Sequence, residues 1–145
     1  MRVAVLNGPN LNLLGVREPA LYGQQTLADI EGMVRAEAAS LGVEVEWSQS
    51  NHEGVLVDAV QALRGRVDGA VVNPAALGHT SLALRDAFLA VQVPFVEVHL
   101  TNIFGREPER RHTVLADLAV AVIAGLGARG YVVGLRALVD RLRAG

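Results

Sequence analysis

The chain has 145 residues, 51% of them hydrophobic, and this length predicts one well-packed domain spanning residues 1–145. Its 13 basic and 15 acidic residues are interspersed and give a formal net charge of −2, so neither nucleic acid nor an anionic membrane surface is expected as a partner. Cysteine is absent and every basic residue apart from histidine is an arginine, which excludes disulfides, thiolate nucleophiles, and enzymes that need a lysine amine, such as Schiff-base lyases and P-loop nucleotidases.

Apolar, β-rich runs alternate along the chain with segments in which apolar residues recur at helical spacing. The runs predict five strands, at Val3–Leu6, Val43–Trp47, Gly69–Asn73, Pro94–Val98 and Leu118–Ile123. The intervening and final segments predict four helices, at Leu27–Leu41, Glu53–Arg66, Ser81–Val91 and Arg129–Arg143. This alternation predicts an α/β fold, a flavodoxin-like doubly wound sheet of five parallel strands with helices on both faces.

Two connections show no pattern of regular structure. The first, Leu6–Thr26, is interpreted as one long loop at the carboxyl end of the first strand, and the second is the Arg-rich stretch between Thr101 and Thr113. The sequence also shows neither a signal-like apolar stretch nor a run long enough to span a bilayer. We therefore expect a cytoplasmic protein without membrane contacts.

In a sheet of this order, strands one, three and four lie side by side, and ligands bind outside their carboxyl ends. Three polar segments should converge there, and they carry Asn10, Arg17, Tyr22, Asn73, His79, Glu97, His99, Thr101 and Asn102. Long ordered loops in small domains are often functional, which favours a binding site. The alternative for the first loop is structural: Gly8 and Pro9 turn the chain, and Tyr22 packs its ring.

The sharpest signal is "PFVEVHL", in which Glu97 and His99 are two residues apart on an otherwise apolar strand and so project from one face. A buried carboxylate needs a partner, so Glu97 is predicted to orient His99 or to raise its basicity. The alternatives are a purely structural pair and a metal site. The metal site is disfavoured because only His79 offers an obvious further nitrogen.

Helix entry explains two other polar groups. One hydroxyl of Thr80 or Ser81 is predicted to cap the third predicted helix. Capping of the second predicted helix likewise accounts for Ser50, Asn51 and His52, which follow the second strand.

Several segments resemble type II 3-dehydroquinate dehydratases, and in chain order they are "LNGPNLNLLGVREPALYG", "QSNHEG", "NPAALGHTSLALRDA", "EVHLTNI", "RE" and "GLGARGY". The resemblance covers nearly the whole chain at consistent separations. It implies a flavodoxin-like fold, a homo-oligomer that is a dodecamer of trimers, and removal of water from 3-dehydroquinate to give 3-dehydroshikimate in the shikimate pathway, with no metal or organic cofactor. The missing lysine separately excludes the other, Schiff-base-forming class of dehydroquinate dehydratase.

The resemblance also implies roles for particular residues. Tyr22 would take the proton from C2, Arg17 would hold Tyr22 as tyrosinate, and Asn10 would bind a water that stabilises the enolate oxygen. His99, backed by Glu97, would give a proton to the departing C1 hydroxyl in a stepwise anti elimination. Binding contacts are implied for Asn73, the amides of Leu100 and Thr101, His79, Arg110, and Asp86, the last in a neighbouring subunit's site.

Three positions depart from the usual pattern of this family: Thr101, Phe104 and Glu109. Thr101 keeps the hydroxyl and amide of the more common serine. Glu109 replaces an aromatic residue and places a carboxylate beside Arg110, so we expect it to affect how this segment packs or pairs.

The alternative from a different class of function is a flavin-binding or phosphoacceptor signalling domain. Flavodoxins have a hydroxyl-rich phosphate loop after the first strand, and receivers need acidic residues there and a lysine later. This chain has Asn and Pro after its first strand and no lysine, which favours the enzyme.

Overall fold

The computed structural model describes residues 1–16 and 18–145, and for Tyr22 its backbone alone. Within these residues one sheet contains the strands β1 (Arg2–Asn7), β2 (Glu44–Gln49), β3 (Gly69–Asn73), β4 (Phe95–His99) and β5 (Ala121–Ala124). All neighbouring strands are parallel, in the order β2-β1-β3-β4-β5. The predicted flavodoxin-like, doubly wound α/β fold is confirmed.

Helices cover both faces of the sheet, and those described are α1 (Pro19–Tyr22), α2 (Leu27–Leu41), α3 (Glu53–Gln61), α4 (Leu82–Val91) and α5 (Arg129–Ala144). One core joins Val3 and Val5 of β1 to α2 and α5, and the other joins Ala4 and Leu6 to α3 and α4. Because alternate residues enter opposite cores, the buried residues of β1 from Val3 to Leu6 are all apolar. In the part of the chain that the structure describes, no helix is long and apolar enough to cross a membrane.

The two connections predicted to be irregular contain short helical turns. The stretch Leu6–Thr26 includes a 3₁₀ turn at Leu11–Leu13 and helix α1. Pro19 occupies the first turn of α1, where its missing N–H costs no hydrogen bond. The connection between Thr101 and Thr113 includes 3₁₀ turns at Ile103–Gly105 and Pro108–Arg110.

Most predicted boundaries lie within two residues of the observed ones, and two were wrong by three residues or more. Helix α3 ends at Gln61 and not at Arg66, because the amides of Arg66 and Val67 bond to the carbonyl of Leu63 and Gly65, at a φ of +73°, turns the chain toward β3. Strand β5 begins at Ala121 and not at Leu118. The amides of Leu118 and Ala119 bond back to the carbonyl of Leu115 in the preceding turn, so they cannot join the sheet.

The helix entries differ in how their first amides are satisfied. Ser81 accepts a 2.9 Å hydrogen bond from the amide of Leu84, which confirms the predicted cap of α4. The predicted capping of α3 was wrong, since its N-cap residue His52 makes no side-chain cap bond. Ser50 accepts from the amide of His52, and Asn51 accepts from the amide of Asn10, so Asn51 holds the first loop instead.

The carboxyl ends of β1, β3 and β4 lie at one edge of the sheet. Asn7 is paired with Asn73, and the amide of Gly8 donates to the carbonyl of Asn73 at 2.8 Å. A Cβ atom on Gly8 would lie 2.3 Å from the carbonyl oxygen of Pro74, so only glycine allows this approach. The first loop is thereby held against the segment that follows β3.

Candidate active site

A buried hydrogen-bonded chain lies at the carboxyl end of β4. The Nε2 atom of His99 contacts the carboxylate Oε2 of Glu97, as their spacing on the strand predicts. The other carboxylate oxygen, Oε1, accepts a 2.9 Å hydrogen bond from the hydroxyl of Thr113. Glu97 is 0% exposed and His99 is 4% exposed, so the protein itself supplies the partners that the carboxylate needs.

The second ring nitrogen of His99, Nδ1, remains for a bound molecule. Nδ1 makes no hydrogen bond to any described residue. Every fully buried side-chain nitrogen or oxygen of the described residues does have a hydrogen-bond partner, so Nδ1 is not fully buried. Nδ1 is therefore accessible from the cleft that His99 lines. An imidazole with one nitrogen on a carboxylate and the other open can transfer a proton.

His79 is held by a reciprocal pair of hydrogen bonds with His112. The ring nitrogen Nδ1 of His79 donates to the carbonyl of His112 at 2.6 Å, and Nε2 of His112 donates to the carbonyl of His79 at 2.8 Å. Burial lowers the pKa of His79, aided by the nearby His99, Arg110 and His112. A neutral His79 with its proton on Nδ1 has a lone pair on Nε2, which can accept a hydrogen bond from a hydroxyl.

One cleft brings together much of the predicted site. It is lined by six of the residues predicted to act on or bind a substrate, namely Asn73, His79, His99, Leu100, Thr101 and Arg110. The other lining residues, which no sequence motif singled out, are Leu11, Ala75, Ala76, Ile103 and Arg106. The rings of His79 and His99 stack with their centroids 6.1 Å apart, so two imidazoles and two guanidinium groups share this small space.

Asn73 is oriented by a buried network. Its Nδ2 donates to the hydroxyl of Tyr131 at 2.9 Å, and that hydroxyl donates to Oδ1 of Asn7 at 2.7 Å. The Oδ1 of Asn73 accepts from the amide of Ala75 at 3.1 Å. Burial raises the pKa of Tyr131, so the phenol stays protonated and the direction of each bond is fixed.

The first loop presents Asn10 on the surface in a left-handed conformation, with φ of 70°. The amide group of Gln49 donates to the carbonyl of Gly8 and to the side chains of Asn12 and Asn51, and so holds this loop. Asn10 is not among the residues that line the described cleft. Arg17 and the side chain of Tyr22 lie outside the described residues, and their roles stay predictions.

The connection after β4 shows how Arg110 is paired. Its Nε donates to Oε1 of Glu107 at 2.5 Å, and Glu109 is exposed without a described ion pair to it. Glu109 was expected to affect how this segment packs or pairs, but the described carboxylate that pairs with Arg110 is that of Glu107, three residues before Arg110.

Asp86 lies on the exposed surface of α4, away from the residues of the cleft. The neighbouring Arg85 forms a bidentate ion pair with Asp117 of the same chain. A contact of Asp86 with another subunit's site stays a prediction.

A larger depression lies elsewhere, beside the edge strand β2. Its charged lining residues are Arg2, Arg35, Glu44 and Glu46. Arg2 pairs with both of these glutamates and Arg35 pairs with Glu31, as expected of a solvated surface. No group of three or more metal-ligating side chains occurs within residues 1–16 and 18–145. The cleft at His99 is therefore the best candidate site of the described surface.

A histidine backed by a buried carboxylate, in a cationic cleft at the carboxyl ends of parallel strands, defines an α/β enzyme of the acid–base type. Comparison with known proteins identifies its relatives. The family model described as "Dehydroquinase class II" matches residues 1–139. The chain belongs to this family, which confirms both the resemblance seen in the sequence and the prediction of an enzyme.

Individual relatives support the assignment. The "3-dehydroquinate dehydratase" of Gemmatimonas aurantiaca is 59% identical over 142 residues, covering 98% of this chain and 93% of the relative. The "catabolic 3-dehydroquinase" of Aspergillus oryzae is 54% identical over 133 residues, covering 92% and 87%. The crystal structure of the type II dehydroquinase from Butyrivibrio crossotus has a TM-score of 0.93 and 38% identity, covering 95% of this chain and 97% of that one.

Proposed function

We propose that this chain removes water from 3-dehydroquinate to give 3-dehydroshikimate, by a stepwise anti elimination through an enolate. The observation that carries the proposal is the Glu97–His99 pair, which lines the cleft of a chain from the class II dehydroquinase family. The relatives include proteins named as 3-dehydroquinate dehydratase and others named as catabolic enzymes, so the reaction is proposed for either a biosynthetic or a degradative route.

Proton removal begins the proposed reaction. The phenolate of Tyr22, held in that form by the guanidinium of Arg17, takes a proton from C2 beside the ketone. An adjacent cation lowers the pKa of an anionic group by about one to three units, which brings a phenol closer to the working pH. A water on Asn10 then stabilises the oxygen of the enolate.

Loss of the hydroxyl completes the reaction. His99 gives a proton to the C1 hydroxyl, which leaves as water while the enolate collapses to the conjugated enone. The negative charge of Glu97 stabilises the imidazolium before this transfer. Tyr22 has gained one proton and His99 has lost one, so exchange with solvent restores the starting state.

The walls of the cleft supply the proposed binding groups. Asn73 and the amides of Leu100 and Thr101 would hold the substrate carboxylate, while His79 and Arg110 would hold ring hydroxyls. The lone pair of His79 suits a hydroxyl donor, and the fixed orientation of Asn73 directs its amide group with no loss of freedom on binding.

The test is a direct assay of turnover. Purified protein is mixed with 3-dehydroquinate, and the ultraviolet absorbance of the conjugated enone is followed, with the product identified by NMR. We expect activity to survive both exhaustive chelation and borohydride added with substrate, because the mechanism uses neither a metal nor a Schiff base. Absence of product, or loss of activity under either treatment in a folded protein, would contradict the proposal.

We further propose that residues 1–145 act as one catalytic domain, in a cytoplasmic homo-oligomer that is a dodecamer of trimers. The two cores lie on opposite faces of a single sheet, one joining β1 to α2 and α5 and the other joining β1 to α3 and α4, which supports one domain. Exposed Asp86 on α4 is available to contact a neighbouring subunit, and closed heterologous contacts generate rings such as trimers.

A further inference from the structure

We propose that Thr113 is a positioning residue for His99, and that its hydroxyl acts through Glu97 to set how readily the imidazole gives up its proton. The inference rests on the proposed function, in which His99 is the proton donor. Thr113 itself does not line the cleft, so its effect on a bound substrate is indirect.

The hydroxyl of Thr113 has a fixed direction. The amide of Leu115 donates to its Oγ1 at 3.1 Å, and Oγ1 lies 2.9 Å from Oε1 of Glu97. Because an amide N–H can only donate, the single hydroxyl proton is left to point at Glu97. Donation to a carboxylate oxygen favours the ionised carboxylate, and the second oxygen of Glu97 is then free to accept from Nε2 of His99.

Burial makes this arrangement hard to replace. Glu97 is fully buried, and its described side-chain partners are Thr113 and His99. A carboxylate in this position cannot substitute bulk water for a lost hydroxyl donor. The two hydrogen bonds therefore share the negative charge of Glu97 between them, and removing one changes the other.

Three other charged or titratable side chains of the described residues lie in the cleft with the His99 ring. His79 stacks on the ring, and Arg106 and Arg110 line the same cleft. The described side-chain hydrogen bonds of His79 and Arg110 go to the carbonyl of His112 and to Glu107, and not to the carboxylate of Glu97. Changing Thr113 thus alters the support of His99 without removing a group that faces the substrate.

The direction of the effect follows from electrostatics. Without the hydroxyl, more of the negative charge of Glu97 acts on the protonated imidazole, and the pair holds its proton more tightly. A tighter hold makes His99 a poorer proton donor, so kcat falls. The alkaline limb of the kcat profile moves to higher pH, because the pair stays protonated further into the alkaline range.

The kinetic experiment compares Thr113→Val, which keeps the shape, with Thr113→Ser, which keeps the hydroxyl. We expect Thr113→Val to lower kcat roughly 10- to 100-fold, the range seen for outer partners of metal-bound histidines, with KM little changed. Thr113→Ser should restore most of kcat and the normal pH profile. The control is Val60→Ala, a buried core residue of α3, which loses stability but should keep wild-type kinetics.

A second readout needs no substrate. The chain has four histidines, so the ring-nitrogen NMR signals of His99 can be assigned by their absence in His99→Gln. Thr113→Val should shift these signals and their titration, whereas Thr113→Ser and Val60→Ala should not. If Thr113→Val fails to fold, Thr113→Cys, whose thiol is a weaker donor, should give a smaller change in the same direction.

Three results would overturn the inference: unchanged His99 signals in Thr113→Val, no recovery in Thr113→Ser, or an effect confined to KM. The two arms also separate this inference from the proposed function. If the wild-type protein did not turn over 3-dehydroquinate, the proposed function would fail, and the NMR comparison would still decide whether Thr113 controls His99.

Discussion

The buried hydroxyl of Tyr131 should stabilise the fold and orient Asn73 at the same time. Replacing Tyr131 by Phe keeps the ring in place, since the side chain is 0% exposed and packed in the core of α5. The change removes one donor and one acceptor, and leaves Oδ1 of Asn7 and one N–H of Asn73 without a partner. Each such buried group costs about 1–3 kcal/mol, so for the two groups we expect a loss of about 2–6 kcal/mol in the free energy of unfolding.

Urea denaturation provides the assay, because the only tryptophan, Trp47, has its ring centroid 6.0 Å from that of Tyr131 and reports on this core. Turnover of 3-dehydroquinate should show a several-fold higher KM and a smaller change in kcat, because Asn73 loses its fixed orientation. The matched control is Val139→Ala, also buried on α5, which should cost about 2 kcal/mol and leave KM unchanged. A loss below about 0.5 kcal/mol for Tyr131→Phe would refute the reasoning.

Three further predictions concern the base, His79 and assembly. Tyr22→Phe and Arg17→Ala should each remove most of the activity, and the double variant should lose little more than the worse single one, because the two act as a unit; additive losses in kcat/KM would contradict this. Because burial lowers the pKa of His79, the unfolded chain binds a proton before the folded one does as pH falls below about 6.5. The wild-type free energy of unfolding from urea titrations should therefore exceed that of His79→Gln by less at pH 5 than at pH 8. A difference that stays constant or grows as the pH falls would contradict this prediction. The protein should scatter light as a closed dodecamer, with Asp86→Ala weakening trimer contacts or substrate binding, and a fully active wild-type monomer would exclude that assembly.

Local patterns were sufficient for the architecture. The alternation of buried strands and amphipathic helices predicts the parallel sheet, because a strand covered on both faces must be apolar along its length. The same period of two predicts that Glu97 and His99 share a face. Boundaries were less predictable. The end of α3 and the start of β5 depend on turn hydrogen bonds to the carbonyls of Leu63 and Leu115, which no spacing of apolar residues reveals.

The supporting residues of the site could not be predicted for a different reason. Thr113 is 16 positions from Glu97, His112 is 33 from His79, and Tyr131 is 124 from Asn7. Each partner sits in a segment whose own pattern gives no sign of the contact, and only the folded sheet brings the pairs together. The interpretation of Asn51 as a helix cap was wrong for the same reason, because its partner is the distant amide of Asn10.

The assignment of His99 can be tested most directly by separating proton removal from loss of water. Wild type and His99→Ala are incubated with 3-dehydroquinate in D₂O, and one NMR time course follows both deuterium entry at C2 and formation of 3-dehydroshikimate. If His99 only donates the proton to the leaving hydroxyl, the variant should form product about two to four orders of magnitude more slowly, yet still exchange the C2 hydrogen faster than it eliminates water. Product formation by His99→Ala at the wild-type rate, or equal loss of exchange and elimination, would contradict the account.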